Sequence, residues 1–587
     1  MKLSRISLAI LPLLSLCSVQ AAVYNVVEIG EVTETASTYA AALNDNGDAV
    51  FNGAIKLTAS SSITGGAQTV FQYYKFPIRL DAIDFDDENV QALFNDDQLN
   101  DVLNGVLNAE TLEILLTSNP ANQPFGTSFG FVKRGSDQAT NLVLRDDALS
   151  RTNSEYLYDI NNQGIILGIA SATYDWQEFI PAATEEEPQP ETEHYWVPEG
   201  ATQSAYAIIE GQVKALPVAY DLYGGGYTVA NAINEVGIIA GFGSVGLVDE
   251  AIENIVEICA GETQPVIRCQ HNYHLSGNTA PGVVNQNIEN FGYTQRAILW
   301  QLNDTEPTLS KILGFLGDKN SQQEHSKDGY LPINYYSKAF GINDSGIAVG
   351  VSLYSDSDID VNSEQIFRTE HATLFNDTEA LPMVDVKEWL RSSALAINNN
   401  DIAIGTAYKV INGVVRSKLF YFDYPTNQSV AVTGFFNSSN TVASAINDNN
   451  QVVGRGEVII GGTTTRRNHG FVYDIAANSF ADLNTMISCN SPYTIVDAKD
   501  INNNGVILAT ALVNKAQRDL YGDPILDSVG NPVTTEVTVA VKLEPIANGE
   551  VEDCATEQTD YERQGGGFSF GAVLLGTLLW WRRRTYH

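Results

Sequence analysis

Short apolar runs alternate with clusters of Asn, Asp and Gly along most of the chain, and one phrase of that alternation recurs seven times. It reads ALNDNGDAVFNG at 42–53, DINNQGIILGIA at 159–170, AINEVGIIAGFG at 232–243 and GINDSGIAVGVS at 341–352. It returns as AINNNDIAIGTA at 396–407, AINDNNQVVGRG at 445–456 and DINNNGVILATA at 500–511. In each copy an Asn follows an apolar residue and opens a polar turn: Asn44, Asn161, Asn234, Asn343, Asn398, Asn447 and Asn502. Turn residues of this kind tolerate the positive φ that tight hairpins require. The runs that follow, such as IILGIA and VILATA, are β-branched or small and suit buried strands. The phrase predicts a β-hairpin.

The last four motif asparagines are 55, 49 and 55 residues apart, which allows about four strands per unit, the size of one propeller blade. Downstream of the hairpins come an aromatic-rich strand and a second apolar strand. Examples are HATLF (371–375) with ALPMVDV (380–386), and KLFYFD (418–423) with SVAVTGFF (429–436). The seventh unit offers EVTVAVKL (536–543) and no obvious fourth strand, whereas VYNVVEIG (23–30) precedes the first hairpin and looks like a blade-ending strand. Pairing the two would close a ring and remove both exposed edges. The expectation is an all-β, seven-bladed β-propeller of four-stranded blades over residues 22–545, with an open solenoid as the rival.

Three stretches interrupt the blades. Residues 81–118 lack strand alternation, and Val90, Leu93, Phe94, Leu99, Val102 and Leu103 recur at helical spacing, predicting one or two amphipathic helices. A second insertion, about 177–193, ends in the acidic loop TEEEPQPETE, and a third covers about 244–292. Insertions on a repeat scaffold often gather on its binding face.

Both ends read as addresses. Lys2 and Arg5 precede ISLAILPLLSL and the small-residue site Val19-Gln20-Ala21, the pattern of a secretory signal peptide over 1–21 cleaved after Ala21. At the other end, beyond a linker at 546–564, Gly565, Gly566 and Gly567 lead into FSFGAVLLGTLLWW and then Arg582, Arg583 and Arg584. Fourteen apolar residues are short for a bilayer span, and the arginines would stay cytoplasmic. This tail (565–587) resembles the GlyGly-CTERM sorting signal of Gram-negative bacteria. The resemblance implies cleavage near the glycines by a rhombosortase-like protease, after signal peptidase has acted, and release or anchoring at the cell surface. The repeats look like HAF-type extracellular repeats, and the whole chain is similar to an uncharacterised family of exported bacterial proteins that pairs them with such a tail.

Charge sharpens the picture. The chain has 33 basic and 71 acidic residues, a net −38, which removal of either end makes more negative still. Such a polyanion repels DNA, RNA and anionic lipid, so nucleic-acid binding is excluded and membrane contact is confined to the tail. Four cysteines remain beyond the signal peptide: Cys259, Cys269, Cys489 and Cys554. In an oxidising compartment they suggest two disulfides, among three possible pairings; Cys259–Cys269 with Cys489–Cys554 is the expected one.

Chemistry is thin. Asp500, Asn502, Asn504 and Gly505 match half of a calcium loop, and Asp159, Asn161 and Gly164 match it more loosely. Ala511 stands where such a loop needs a bidentate Glu, so turn capping is the better reading and no cofactor is expected beyond weak calcium binding. Cys269, His271 and His274 have zinc-like spacing, but Cys269 is better used in a disulfide. His371 and His469 occupy one equivalent strand position, which predicts a repeated structural role. No catalytic residue is assigned. The expectation is a non-catalytic binding or scaffold propeller for a protein or glycan ligand; the alternative is a polysaccharide hydrolase or lyase with its site at the channel.

Overall fold

Seven four-stranded antiparallel sheets make up the computed structural model. It describes residues 23–552 apart from 33–34, 36, 55–77, 146–151, 184–187, 262, 276–292, 304–305, 318–334, 356–367, 378, 460–464 and 519–522. The sheets are the blades of a ring, each built as an up-and-down meander whose first strand is innermost. Those inner strands are Ser37–Leu43, Glu155–Ile160, Thr228–Ile233, Ser337–Ile342, Arg391–Ile397, Thr441–Ile446 and Thr494–Ile501. Every one of them ends at the residue before a motif Asn. The propeller reading is correct, and the solenoid is not.

Closure runs as the missing fourth strand suggested. Tyr24–Glu28 pairs antiparallel with Thr534–Pro545, from Tyr24↔Pro545 to Glu28↔Val541, and becomes the outer strand of blade seven. Ile546 N–H donates to the Val23 carbonyl at 2.8 Å, so the two ends of the ring meet at that edge. A sheet edge that would otherwise offer unpaired N–H and C=O groups is thereby covered.

Hydrophobic layers fill the spaces between blades. Trp300, Phe420 and Phe471 are fully buried in three of them. The Trp300 indole N–H still reaches a partner, the Pro217 carbonyl, at 2.9 Å.

One regular feature is invisible in the phrase. Each inner strand carries a β-bulge three residues before its motif Asn, at Ala41, Tyr158, Asn231, Phe340, Leu395, Ser444 and Lys499. The bulge pushes the inner backbone towards the second strand. That explains the glycine inside the following apolar run. A Cβ on Gly241, Gly350, Gly405 or Gly454 would lie 1.9–2.2 Å from an inner-strand carbonyl oxygen.

The connections are strongly asymmetric. In such a meander the first-to-second and third-to-fourth turns share one end of every blade. Here all of these are short, from six residues at 134–139 through motif turns of four or five to two residues at 210–211. The opposite end carries 55–127, 180–192, 248–292, 356–367 and 517–533, with short connections there in blade five at 412–413 and in blade six at 460–465. All three expected insertions fall on that end. The first holds α1 (Glu88–Gln91), α2 (Asp96–Leu103) and α3 (Ala109–Ser118), one helix more than the pattern suggested. The second is largely a long hairpin, because strands Ile166–Phe179 and Glu193–Ile209 run on beyond the blade. The third contains α4 (Asp249–Ile258) and α5 (Val266–Leu275).

Candidate functional site

At the tight-turn end the seven motif asparagines form a closed ring around the channel. The side-chain Nδ2 of each donates to the backbone carbonyl of the next: Asn44 to Asn161, then Asn234, Asn343, Asn398, Asn447, Asn502 and back to Asn44, all at 2.9–3.3 Å. Each Oδ1 accepts from the backbone N–H four residues on, at 2.7–3.0 Å. Asn is required because a short amide supplies a donor and an acceptor at once. The positive φ expected of these turns belongs to other residues. It falls three positions later, at Gly47, Gly164, Gly237, Gly346, Asp401, Asn450 and Gly505. Where Gly is replaced, Asp401 and Asn450 accept a second bond from Asn343 and Asn398, at 2.7 and 2.8 Å.

A second ring lies beside the first. The backbone N–H after each motif Asn donates to the side chain of its counterpart in the next blade, through Asp45, Asn162, Glu235, Asp344, Asn399, Asp448 and Asn503, at 2.8–3.0 Å. With Leu43, Ile160, Ile233, Ile342, Ile397, Ile446 and Ile501 the two rings line a cavity of about 190 Å³. Its residues are engaged with one another, as a lock between blades requires. The calcium-like oxygens share that fate. Asp500 accepts from Ile501 and Leu43 N–H, both at 2.8 Å, and the Asn504 amide donates to the Asp45 carbonyl at 2.9 Å. Asn502 Oδ1 caps its own turn, while Asp500 and Asn504 bond across to blade one.

Two inner strands depart from the pattern. Asp159 and Asp500 stand where the other blades have Ala42, Ala232, Gly341, Ala396 and Ala445. Asp159 bridges to blade three through Ile233 N–H at 2.8 Å, as Asp500 bridges to blade one. Burial pushes Asp159 up to about 7, the nearby Asp500 charge adding to it. Burial likewise pushes Asp500 up to about 6. Both carboxylates brace backbone amides.

His371 and His469 do share one register position, and the structure adds Arg296 and Lys418 to it. Four successive blades thus place a basic residue at one register of the third strand. Arg296 donates to the Tyr335 carbonyl. His371 meets Ser392 Oγ at 3.4 Å, and His469 pairs with Asp482 at 2.7 Å. Lys418, 3% exposed, donates to the Thr433, Phe436 and Ser439 carbonyls. Burial holds His371 down at about 4 and Lys418 at about 8. Arg296 and Lys418 pin loops, and His371 lies between the Thr369 and Ser392 hydroxyls.

The opposite end is built differently. The blade-two hairpin stands between the other two insertions: the Trp196 indole N–H donates to Ala121 O at 3.1 Å, and the Tyr195 hydroxyl to Thr263 O at 3.2 Å. Trp176 stacks on His194 at 5.6 Å, and the Arg268 guanidinium lies 4.6 Å from the Tyr195 ring centre. Asp175, Glu178, Glu191 and Glu193 flank these rings in the hairpin sequence, with Glu178 3.8 Å from His194 Nε2. Cys259 and Cys269 form the expected disulfide across α4 and α5. Cys269 therefore cannot complete a zinc set with His271 and His274. Cys489 is disulfide-bonded as well; its expected partner Cys554 lies outside the described residues, as do Ala21, Gly565, Gly566 and Gly567. Cys489 N–H donates to the Glu552 carboxylate at 2.7 Å, holding the end of the described chain against the ring. Among the described residues no helix is long and apolar enough to cross a membrane.

No curated protein matches the chain. Among solved structures it is similar to dipeptidyl peptidase 4 of Porphyromonas gingivalis, at 9% identity and a TM-score of 0.31, over 66% of this chain and 47% of that one. The chain thus spans about half the length of that relative. An oligogalacturonate lyase of Vibrio parahaemolyticus gives 8% identity and 0.27, over 67% and 96% of the two chains. An ulvan lyase of a new polysaccharide lyase family gives 9% and 0.29, over 72% and 88%. Likeness at this level says nothing about chemistry. The family model described as "Protein of unknown function (DUF3466)" matches residues 1–584, and the chain belongs to that family.

Proposed function

We propose that the protein is an exported, non-catalytic binding propeller that holds a protein or glycan ligand on its insertion-bearing face. The asymmetry of the connections supports this reading: one end is seven near-identical turns locked by two hydrogen-bond rings, and the other carries every long connection. Loops on a rigid scaffold are where proteins vary their recognition. The half-buried rings of Trp176, Phe179 and Tyr195 offer stacking surfaces on the blade-two hairpin, and its carboxylates disfavour anionic polymers. The likeness of the repeats to HAF-type repeats and of the two ends to a signal peptide and a GlyGly-CTERM tail supports a location at the surface of a Gram-negative bacterium or outside it.

A glycan and envelope-protein binding screen with the purified chain tests the reading. Replacing residues 174–198 by a short turn should abolish the interaction found while leaving the ring folded. Depolymerisation of any polysaccharide in the same screen would favour the lyase or hydrolase alternative. Deleting 565–587 should change retention at the envelope; identical fractionation with and without the tail argues against a sorting role.

A further inference from the structure

The pair α4–α5, joined by Cys259–Cys269, packs through α5 on the blade-two strand Glu193–Ile209. His271 sits inside this corner, 1% exposed, and neither ring nitrogen has a hydrogen-bond partner. Its ring meets that of Tyr174 edge-on, with centres 5.7 Å apart. Three residues on, His274 is also buried and stacks on Tyr293 at 4.8 Å. His274 Nε2 meets the Tyr223 carbonyl at 3.0 Å, while its Nδ1 has no partner.

The surroundings are cationic or phenolic. Arg145, from the connection between blades one and two, donates to the Ser171 and Glu199 carbonyls at 3.2 and 3.0 Å. Arg268 of α5 covers Tyr195. Tyr174 of blade two, Tyr220 and Tyr223 of the next connection, and Tyr227 and Tyr293 of blade three complete the wall. The carboxylates of this corner are engaged elsewhere: Glu155 Oε1 accepts from Leu144 and Arg145 N–H, and Glu199 Oε2 from Thr173. None bonds either imidazole.

We propose that α4–α5 is an acid-released flap: protonation of His271, and with it His274, undocks the helical pair from blade two while the ring stays closed. An imidazolium at His271 would bury two N–H donors and a charge with no acceptor and no counter-ion among the described residues. That arrangement is strongly unfavourable, whereas the undocked ring would be solvated by water. Burial, followed by the His274 and Arg145 charges, holds His271 at about 4 against an ordinary 6.5. Burial also lowers His274.

A histidine whose docked form resists protonation gives full docking above about 6.5. Docking then weakens as pH falls, by about tenfold per pH unit for each proton, until about 4. The disulfide keeps both helices together, so they leave as one piece. Release would expose Tyr174 and Tyr293 on the insertion-bearing face and needs no ligand. It can therefore succeed or fail independently of the binding reading.

Hydrogen–deuterium exchange of the full-length chain, corrected for intrinsic rates at each pH, tests this. Peptides within 249–275 should lose protection by at least tenfold, on the order of the titration of one proton, between pH 7.5 and 4.5. Peptides from the inner strands should hold theirs. His271→Phe, an apolar ring of similar size, should keep the flap protected at pH 4.5. If that variant is already unprotected at pH 7.5, His271→Gln takes its place, and the wild-type profile must still fall between pH 6.5 and 4. Unchanged protection in the wild type, an equal acid loss in the docked variant, or parallel opening of the inner strands overturns the proposal.

Discussion

The Asn502 side-chain amide donates to the Asn44 carbonyl at 3.0 Å across 458 residues of sequence, and this bond closes the ring that the other six motif asparagines form in succession. Beside it, Asn503 N–H donates to Asp45 Oδ1 at 2.8 Å. Blade seven is thus joined to blade one by the same contacts that join every other pair. The seven turns form one cooperative hydrogen-bonded collar.

Breaking the collar should be expensive at any position. Asn502→Ala removes the amide that donates to the Asn44 carbonyl and leaves Val506 N–H without its acceptor, at 2.9 Å in the intact ring. A loss of about 1–3 kcal/mol is expected, read as a lower denaturant midpoint at unchanged slope. Asn502→Asp should destabilise comparably, because a carboxylate facing the Asn44 carbonyl has nothing to donate. A neutral outcome for both variants would show the ring to be incidental.

Removal of Val23–Glu28 should expose the strand Thr534–Pro545 as a free edge bearing Val539, Val541 and Leu543, all now buried. Loss of cooperative unfolding and concentration-dependent association are expected, measured by calorimetry and light scattering. Supplying the strand as a peptide should partly reverse the association.

Between pH 4 and 7 the buried carboxyls at Asp159 and Asp500 lower stability as pH rises. Their folded values, about 7 and about 6, lie above the ordinary 3.8, so the folded state holds protons that the unfolded chain has lost. Their contribution is fully present below about pH 4 and is lost by about pH 7. Asp159→Ala restores the residue that Ala42, Ala232 and Ala445 show the position accepts. Its melting temperature should fall less than that of the wild type across this interval, and parallel melting curves would count against the assignment.

Opening Cys259–Cys269 should act locally. The bridge closes a loop of ten residues' separation, for which loop entropy gives about 2–3 kcal/mol. Cys259→Ser with Cys269→Ser should raise proteolytic cleavage within 249–275 and leave the melting of the ring unchanged. A lower melting temperature for the whole protein would show that the flap supports the blades.

Much of the fold was legible because a blade is a local object. The phrase around Asn343 or Asn398 contains a turn, two strands and their spacing, and the orphan strand at 24–28 had one vacant partner. The Asn was read within its own turn alone. Its acceptor lies in the next unit, 55 residues away for Asn343 and 117 for Asn44, and no pattern within a single repeat points that far. The bulges were hidden for a related reason. Register between strands is not written in either strand alone, although the recurring Gly of IAVG and IAIG is their trace. Lys418 and Arg296 were missed because Lys, Arg and His differ as letters while filling one steric slot.

The sequence by itself determined that hairpins recur and that an N-terminal strand would complete the last sheet, because hydrophobic period and turn chemistry act over a few residues. Only the tertiary structure decided that seven amides would bond head to tail and that every long insertion would share one end. It also decided that His271 would be sealed without a partner. Each of these depends on side chains brought together by ring closure, and distance through space is a quantity the linear chain does not contain.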